Sequence, residues 1–201
     1  MIALWIILGI IVILLLIFWG TYNGLVRLRN QVKNAWAQID VQLKRRHDLI
    51  PNLVETVKGY MTHERGTLEA VTQARNLAQQ GANLPPGERS KLETDLSSAL
   101  SRLLVVVEQY PNLKANQNFL ALQEELTSTE NKISFSRQFY NDSVLNYNNK
   151  TQMFPSNVVA GMTGFKAEQF FQTTAPEERE APKVSFPGST PPSQPMPPGA
   201  H

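Results

Sequence analysis

The side chains that titrate near neutral pH are three histidines, and the chain has no cysteine. Thiol nucleophiles, thiolate metal sites, disulfides and a lipoprotein attachment cysteine are thereby excluded. His47 opens the run His47-Asp48-Leu49-Ile50-Pro51. A histidine followed by an acid and then a proline can accept a phosphoryl group on a helical bundle. That arrangement needs the proline five residues on, whereas Pro51 comes four after His47, and no ATP-binding domain follows. A kinase is excluded, and a bare phosphotransfer module is the weakest reading. A di-iron bundle would need Glu three residues before His. Lys44 precedes His47 at that spacing and Tyr60 precedes His63, so no such site is expected. His63, beside Glu64 and Glu69, reads as part of a solvated helix face. Glycine loops for phosphate, the GxSxG elbow and HExxH are all missing, so neither a cofactor nor catalysis is expected.

What remains is a set of polar residues on helical seams: Asp40, Arg45, Arg46, Glu55, Arg75, Glu130, Asn131 and Arg137. In a bundle seam such residues set register and partner choice. The functional alternative is a groove for a peptide, a helix or a lipid headgroup. The formal net charge of +2, with no basic stripe carrying interleaved aromatics, gives no support to nucleic acid as a partner.

These residues are carried by helices, the first of which is built for lipid. Residues 2–19 contain no charge, with Trp5 and Trp19 near the two ends, where an indole suits a headgroup region. At 1.5 Å per residue the run reaches roughly 27 Å, close to a hydrocarbon core of ~30 Å, and Gly20 to Tyr22 complete the span. A cleaved signal peptide would have basic residues ahead of a shorter apolar run and small residues at its end. Here nothing basic precedes the run and Phe18, Trp19 and Tyr22 are bulky, so an uncleaved anchor over residues 1–21 is expected. Arg27, Arg29, Lys33, Lys44, Arg45 and Arg46 follow the run, against the single acid Asp40. The positive-inside rule then predicts a single-pass protein of a bacterial inner membrane, amino terminus outside and body in the cytoplasm. Gly20–Gly24 matches the GxxxG pairing pattern but falls at the membrane edge, where a flexible junction is the plainer reading.

From residue 22 onward apolar residues recur at steps of three and four, the spacing of packed helices. Leu25, Leu28, Val32, Trp36, Ile39 and Leu43 extend the membrane helix, which is expected to stop at RRHDLIPN. Asp48 would then cap a second helix, with Pro51 in its first turn, carrying Leu53, Val57, Tyr60 or Met61, Leu68, Val71 and Ala78. The NLPPGE loop follows. A third helix has its seam at Leu92, Leu96, Ala99, Leu103, Val106 and Tyr110 and ends at Pro111. A fourth carries Phe119, Leu122, Leu126, Thr129, Ile133, Ser136, Tyr140, Ser143 and Tyr147. The expected fold is all-α: a transmembrane helix continuing into an antiparallel four-helix bundle over residues 22–172. Such periodicity also allows two bundles to pair side by side.

In that arrangement the stretch after Lys150 returns toward the bilayer. Its Phe154, Val158, Val159, Met162, Phe165, Phe170 and Phe171 suit packing on the bundle end, with contact to lipid as the alternative. Residues 173–201 change character, rich in proline, glycine and serine, and read as a disordered tail. PSQP and PMPP fit PxxP but lack a neighbouring arginine, so a linker is the plainer reading.

With these residues in view, the chain resembles the bacterial LemA family. The matching stretches are YNGLVRLRNQVKNAWAQIDVQLKRRHDLIPNLVETVKGYMTHE and TENKISFSRQFYNDSVLNYNNKTQMFPSNVVAGMTGF, which cover most of residues 22–165. The most specific motifs are LKRRxDLIPNLV and TENxI with YNxxVxxYN. The resemblance implies one N-terminal membrane helix, a cytoplasmic antiparallel bundle and no catalytic residues. A magnetosome-associated branch implies scaffolding of membrane structures. The proline-rich tail departs from the shared pattern. The expected function is therefore a non-enzymatic, membrane-anchored scaffold or adaptor, with the bilayer at residues 2–19 and membrane or cytoplasmic proteins as partners. A bundle that senses a small ligand or ion is the alternative.

Overall fold

The computed structural model of the protein describes residues 1–61 and 63–171, which are all-α. The proline-rich tail and its PxxP motifs lie outside the described residues. Helix α1, Ile2–Lys58, is unbroken and extends about 85 Å at ~1.5 Å per residue. Among the described residues it is the one helix long and apolar enough to cross a membrane, and none of the others covers that stretch. The helix runs through Gly20 and Gly24 without a break, so no loop interrupts the junction expected there. From Leu25 onward one stripe is buried: Leu25, Val32, Ala35, Ile39, Leu43, Arg46, His47, Ile50, Leu53 and Val57.

The expected stop at RRHDLIPN does not occur, and Asp48 caps nothing, because α1 continues through Pro51 to Lys58. Proline inside a helix deprives the carbonyl four residues earlier of its partner. That carbonyl belongs to His47, and Arg75 Nε donates to it at 2.7 Å. A side chain from the next helix thus makes the bond that Pro51 cannot. The chain turns instead after Gly59. His63 lies exposed in this turn rather than on a helix face, and Met61 is buried beneath it.

Helix α2 spans Arg65–Gln80 and ends at Gly81, where an added Cβ would come within 2.4 Å of Leu92 Cδ1. Helix α3 is Pro86–Val107, started by a proline in its first turn, where the missing N–H has no intrahelical partner to lose. Its buried face is Arg89, Ser90, Glu93, Leu96, Leu100, Leu103 and Val107. Leu92, Ala99, Val106 and Tyr110, expected on the seam, flank that face half-buried. The face is rotated because two charged residues, Arg89 and Glu93, occupy its inner side. After the short α4, Pro111–Lys114, Asn116 caps α5, Gln117–Gln152, by accepting from Phe119 N at 3.1 Å. Helix α6, Ser156–Thr163, closes on Gly164, whose φ of 77° suits a residue without Cβ.

Helices α1 and α5 share the longest interface. Arg45 meets Glu125, Arg46 meets Glu130, and Trp36 meets Tyr140 with 5.2 Å between ring centroids. Two main apolar clusters fill the interior. The distal one, farther from the apolar stretch, joins Ile50, Leu53 and Val57 of α1 to Leu68 and Val71 of α2, Leu96, Leu100 and Leu103 of α3, Leu113 of α4, and Phe119 and Leu126 of α5. The proximal one joins Val32, Ala35, Ile39 and Leu43 to Ile133, Tyr140, Val144 and Tyr147, and its remaining buried member is Phe171.

Phe171 is brought there by an extended segment laid along α5. Asn148 accepts from Glu168 N and donates to Glu168 O, both at 2.9 Å. Asn141 treats Phe171 the same way, at 2.9 and 3.2 Å. Seven residues of helix advance about 10.5 Å and three extended residues about 10 Å, so the two asparagines match the segment's repeat. Tyr140 adds a bond to Gln169 O at 2.8 Å. Burial, with Glu168 beside it, pushes this phenol up to about 12, keeping it a donor. Phe165, Phe170 and Phe171 thus pack along the sides of α1 and α5 rather than on an end, while Phe154, Val158 and Met162 are exposed.

Candidate functional site

Where the two clusters meet, polar residues from three helices converge. On α3, Arg89, Glu93 and Ser97 are four residues apart and share one face, turned toward Asp40, Arg46 and His47 of α1. Arg46 is 1 % exposed and is the hub. Its guanidinium pairs with Glu93, reaches Glu130 Oε1 and Ser97 Oγ at 2.8 Å each, and donates to the Glu93 carbonyl at 3.3 Å. His47 Nε2 meets the same Glu93 Oε2 at 3.2 Å, so one carboxylate oxygen serves both side chains. Arg89 pairs with Asp40, donates to Ala82 O at 3.1 Å and lies over Trp36 with 5.3 Å to the ring centroid.

Burial by itself would raise the Glu93 carboxyl. The His47 hydrogen bond and the charges of Arg46 and His47 outweigh it and hold the group below its ordinary 4.5. Glu93 is therefore a fixed carboxylate that accepts, and is poorly suited to donating a proton near neutral pH. Desolvated charges of this kind depend on their partners, and removing one strands the others.

The network floors a groove of about 510 Å³ between α3 and α5. Hydroxyls of Thr94, Ser97, Ser98 and Ser101 line one wall, and each donates to the carbonyl four residues earlier at 2.8 to 3.1 Å. Their protons are used within α3, so they present lone pairs to the groove. Arg102 and Arg137 line it as well, and Phe171, with Arg137 at 5.3 Å from its ring centroid, forms one end. The arrangement can recognise a group carrying both hydrogen-bond donors and negative charge.

Of the polar residues singled out in the sequence, Asp40, Arg46, Glu130 and Arg137 gather here, and Arg75 sits close by on the His47 carbonyl. Arg45 lies at the rim with Glu125. Glu55 is on the surface, 3.8 Å from Lys58, and Asn131 faces outward on a shallow groove with Leu120 and Phe135. Sequence reasoning overlooked His47, Arg89, Glu93 and Ser97 in this role. The readable signal was the stripe of Arg89, Glu93 and Ser97 at four-residue steps, in register with the buried leucines Leu96, Leu100 and Leu103.

A sequence model of the LemA family matches residues 35–186. Protein LemA of Metamycoplasma hominis is 30% identical over 146 residues, which cover 72% of this chain and 65% of that protein. Magnetosome protein MamQ 2 of Paramagnetospirillum magneticum is 25% identical over 175 residues, covering 75% of this chain and 64% of the relative. Magnetosome protein MamQ of Magnetospirillum gryphiswaldense is 24% identical over 174 residues with the same two shares. The chain thus spans 64 to 65% of the length of these relatives.

Proposed function

Because the chain belongs to the LemA family, we propose that it is a membrane-anchored, non-enzymatic scaffold whose antiparallel four-helix body presents a surface to other proteins. The observation that carries this reading is α1 itself. One unbroken helix holds both the uncovered apolar stretch and a core stripe of the body, so the body is a rigid extension of the anchor. The buried ion pairs and hydrogen bonds around Arg46 support a role in fixing helix register over one in turnover. Relatives named as magnetosome proteins accord with a structural role over a catalytic one.

The flanking basic residues support a single pass across a bacterial inner membrane, with the body in the cytoplasm. A reporter that works only in the cytoplasm, fused after His201, is then active, and an export-dependent one is silent. Crosslinking in cells followed by mass spectrometry tests the scaffold itself. Enrichment of defined partners over other abundant membrane proteins is expected, and an unenriched background removes the reading. Side-by-side pairing of two copies belongs to the same proposal, and sedimentation of the detergent-solubilised chain as a monomer alone would remove it.

The groove at Arg102 and Arg137 favours a second reading, a bundle that senses a small anionic ligand. Native mass spectrometry of the detergent-solubilised chain decides this. A stoichiometric small molecule lost in Arg102→Ala supports sensing, and its absence leaves the scaffold.

A further inference from the structure

Helix α6 turns one side to the protein and keeps the other uncovered. Val159 and Ala160 are buried on Leu25, the first buried residue of α1 after its apolar run. Phe165, just past the helix, meets Tyr22 ring to ring at 5.8 Å and lies under the Arg29 guanidinium at 4.9 Å. These contacts fix α6 within about one helical turn of the end of the membrane span. Away from them, Phe154 is 83%, Val158 53% and Met162 74% exposed, at four-residue steps, with Met153 adjoining at 63%. Four large apolar side chains are thus left uncovered at the level where α1 emerges from lipid.

The charge around them is mostly basic, with the exposed Glu168 as the nearby acid. Residues 1–39 and 143–167 contain no acid, while Arg27, Lys33, Lys150 and Lys166 are exposed at this end. An amphipathic segment with apolar residues on one side and lysines beside it is the chemistry of a headgroup contact, strongest on anionic lipid.

We propose that α6 and the turn before it form a second membrane contact, with Phe154, Val158 and Met162 inserted among the headgroups of an anionic bilayer. The contact would hold the body at a fixed angle and stop rotation about α1. This rests on residues 2–19 crossing the bilayer, and the test separates the two statements.

Because the chain has no cysteine, single cysteines can carry a polarity-sensitive fluorophore without further changes. Labels would be placed at 154, 158 and 162, at Ile10 as the buried reference, and at the exposed Phe135 as the aqueous one. The full chain would be reconstituted at one copy per nanodisc of phosphatidylcholine and phosphatidylglycerol, with helicity checked by circular dichroism. Labels at 154, 158 and 162 are expected to shift to the blue and resist acrylamide, as the Ile10 label does. Adding Phe154→Asp and Met162→Asp should return the label at 158 to water. If the three labels quench like the one at Phe135 while Ile10 stays protected, the contact is refuted and the anchor stands. If Ile10 also quenches, both fall. Protection that requires two copies per disc would assign the apolar face to a second chain and overturn the proposal.

Discussion

The distal and proximal halves of the body solve the same burial problem with different means. The distal half surrounds its core with α1, α2, α3 and α5, and leucines and valines fill it. The proximal half has only α1 and α5, and two helices cannot enclose an interior. Its third side is an extended strap that contributes Phe165, Phe170 and Phe171 and is held by side-chain amides acting as backbone partners. The first half depends on apolar area, the second on a few directed bonds. Between them the Arg46 network links α1, α3 and α5, where the number of covering helices changes.

The largest break should come at that join. Arg46→Ala strands Glu93 in the interior, and the expected loss is about 3–5 kcal/mol in chemical denaturation of the detergent-solubilised chain. Replacing both partners, Arg46→Met with Glu93→Leu, should lose much less, because no charge is left unpaired. A double variant as weak as the single one would show that the network positions the helices through its own bonds.

Next in size is the strap. Asn148→Ala removes an acceptor and a donor from the Glu168 backbone, and Asn141→Ala does the same at Phe171. Each should cost about 1–2 kcal/mol. Hydrogen exchange should rise around residues 140–150 and 165–171 and stay unchanged in α3. Equal loosening of both halves would erase the distinction drawn between them.

Extremes of pH should separate the join from the strap. The folded Glu93 carboxyl titrates below 4.5, so its contribution is complete above the unfolded value and is lost as pH falls through the folded one. Tyr140 is raised above 10 to about 12, so its contribution is complete below pH 10 and fades as pH rises toward about 12. Acid should therefore weaken the network first, and alkali the strap. Tyr140→Phe should remove part of the alkaline loss and leave the acid limb as it was.

The two halves were also unequally legible in the sequence. Periodicity and proline punctuation outlined α3 and α5, because those signals are local. Pro51 misled because its rescue comes from Arg75, on another helix, and no local rule anticipates a distant donor. The buried face of α3 is rotated from its apolar seam because the Arg89–Glu93–Ser97 stripe shares the interior. In YNxxVxxYN the tyrosines were readable as core, whereas the asparagines acquire meaning only once an extended segment lies beside them.

The smallest effect is expected where the halves meet on α5. Thr129, Ser136 and Ser143 are spaced by seven and read from sequence as one buried face. Thr129 and Ser143 are buried, and each hydroxyl donates at 2.8 Å to the carbonyl four residues back. Ser136 is half-buried. It lies between Ile133 and Arg137, which line the groove, at the level where the distal core has ended and the strap begins. Its partly exposed position lets an added isobutyl group extend toward solvent, so that group meets less resistance than in a closed core. Thr129→Leu should destabilise by about 1–3 kcal/mol through overpacking. Ser136→Leu should stay within about 1 kcal/mol, between that and an ordinary surface change. Denaturation midpoints of the two variants, measured side by side, test the boundary. If Ser136→Leu costs as much as Thr129→Leu, the core is closed at residue 136, and the groove must begin nearer Phe171.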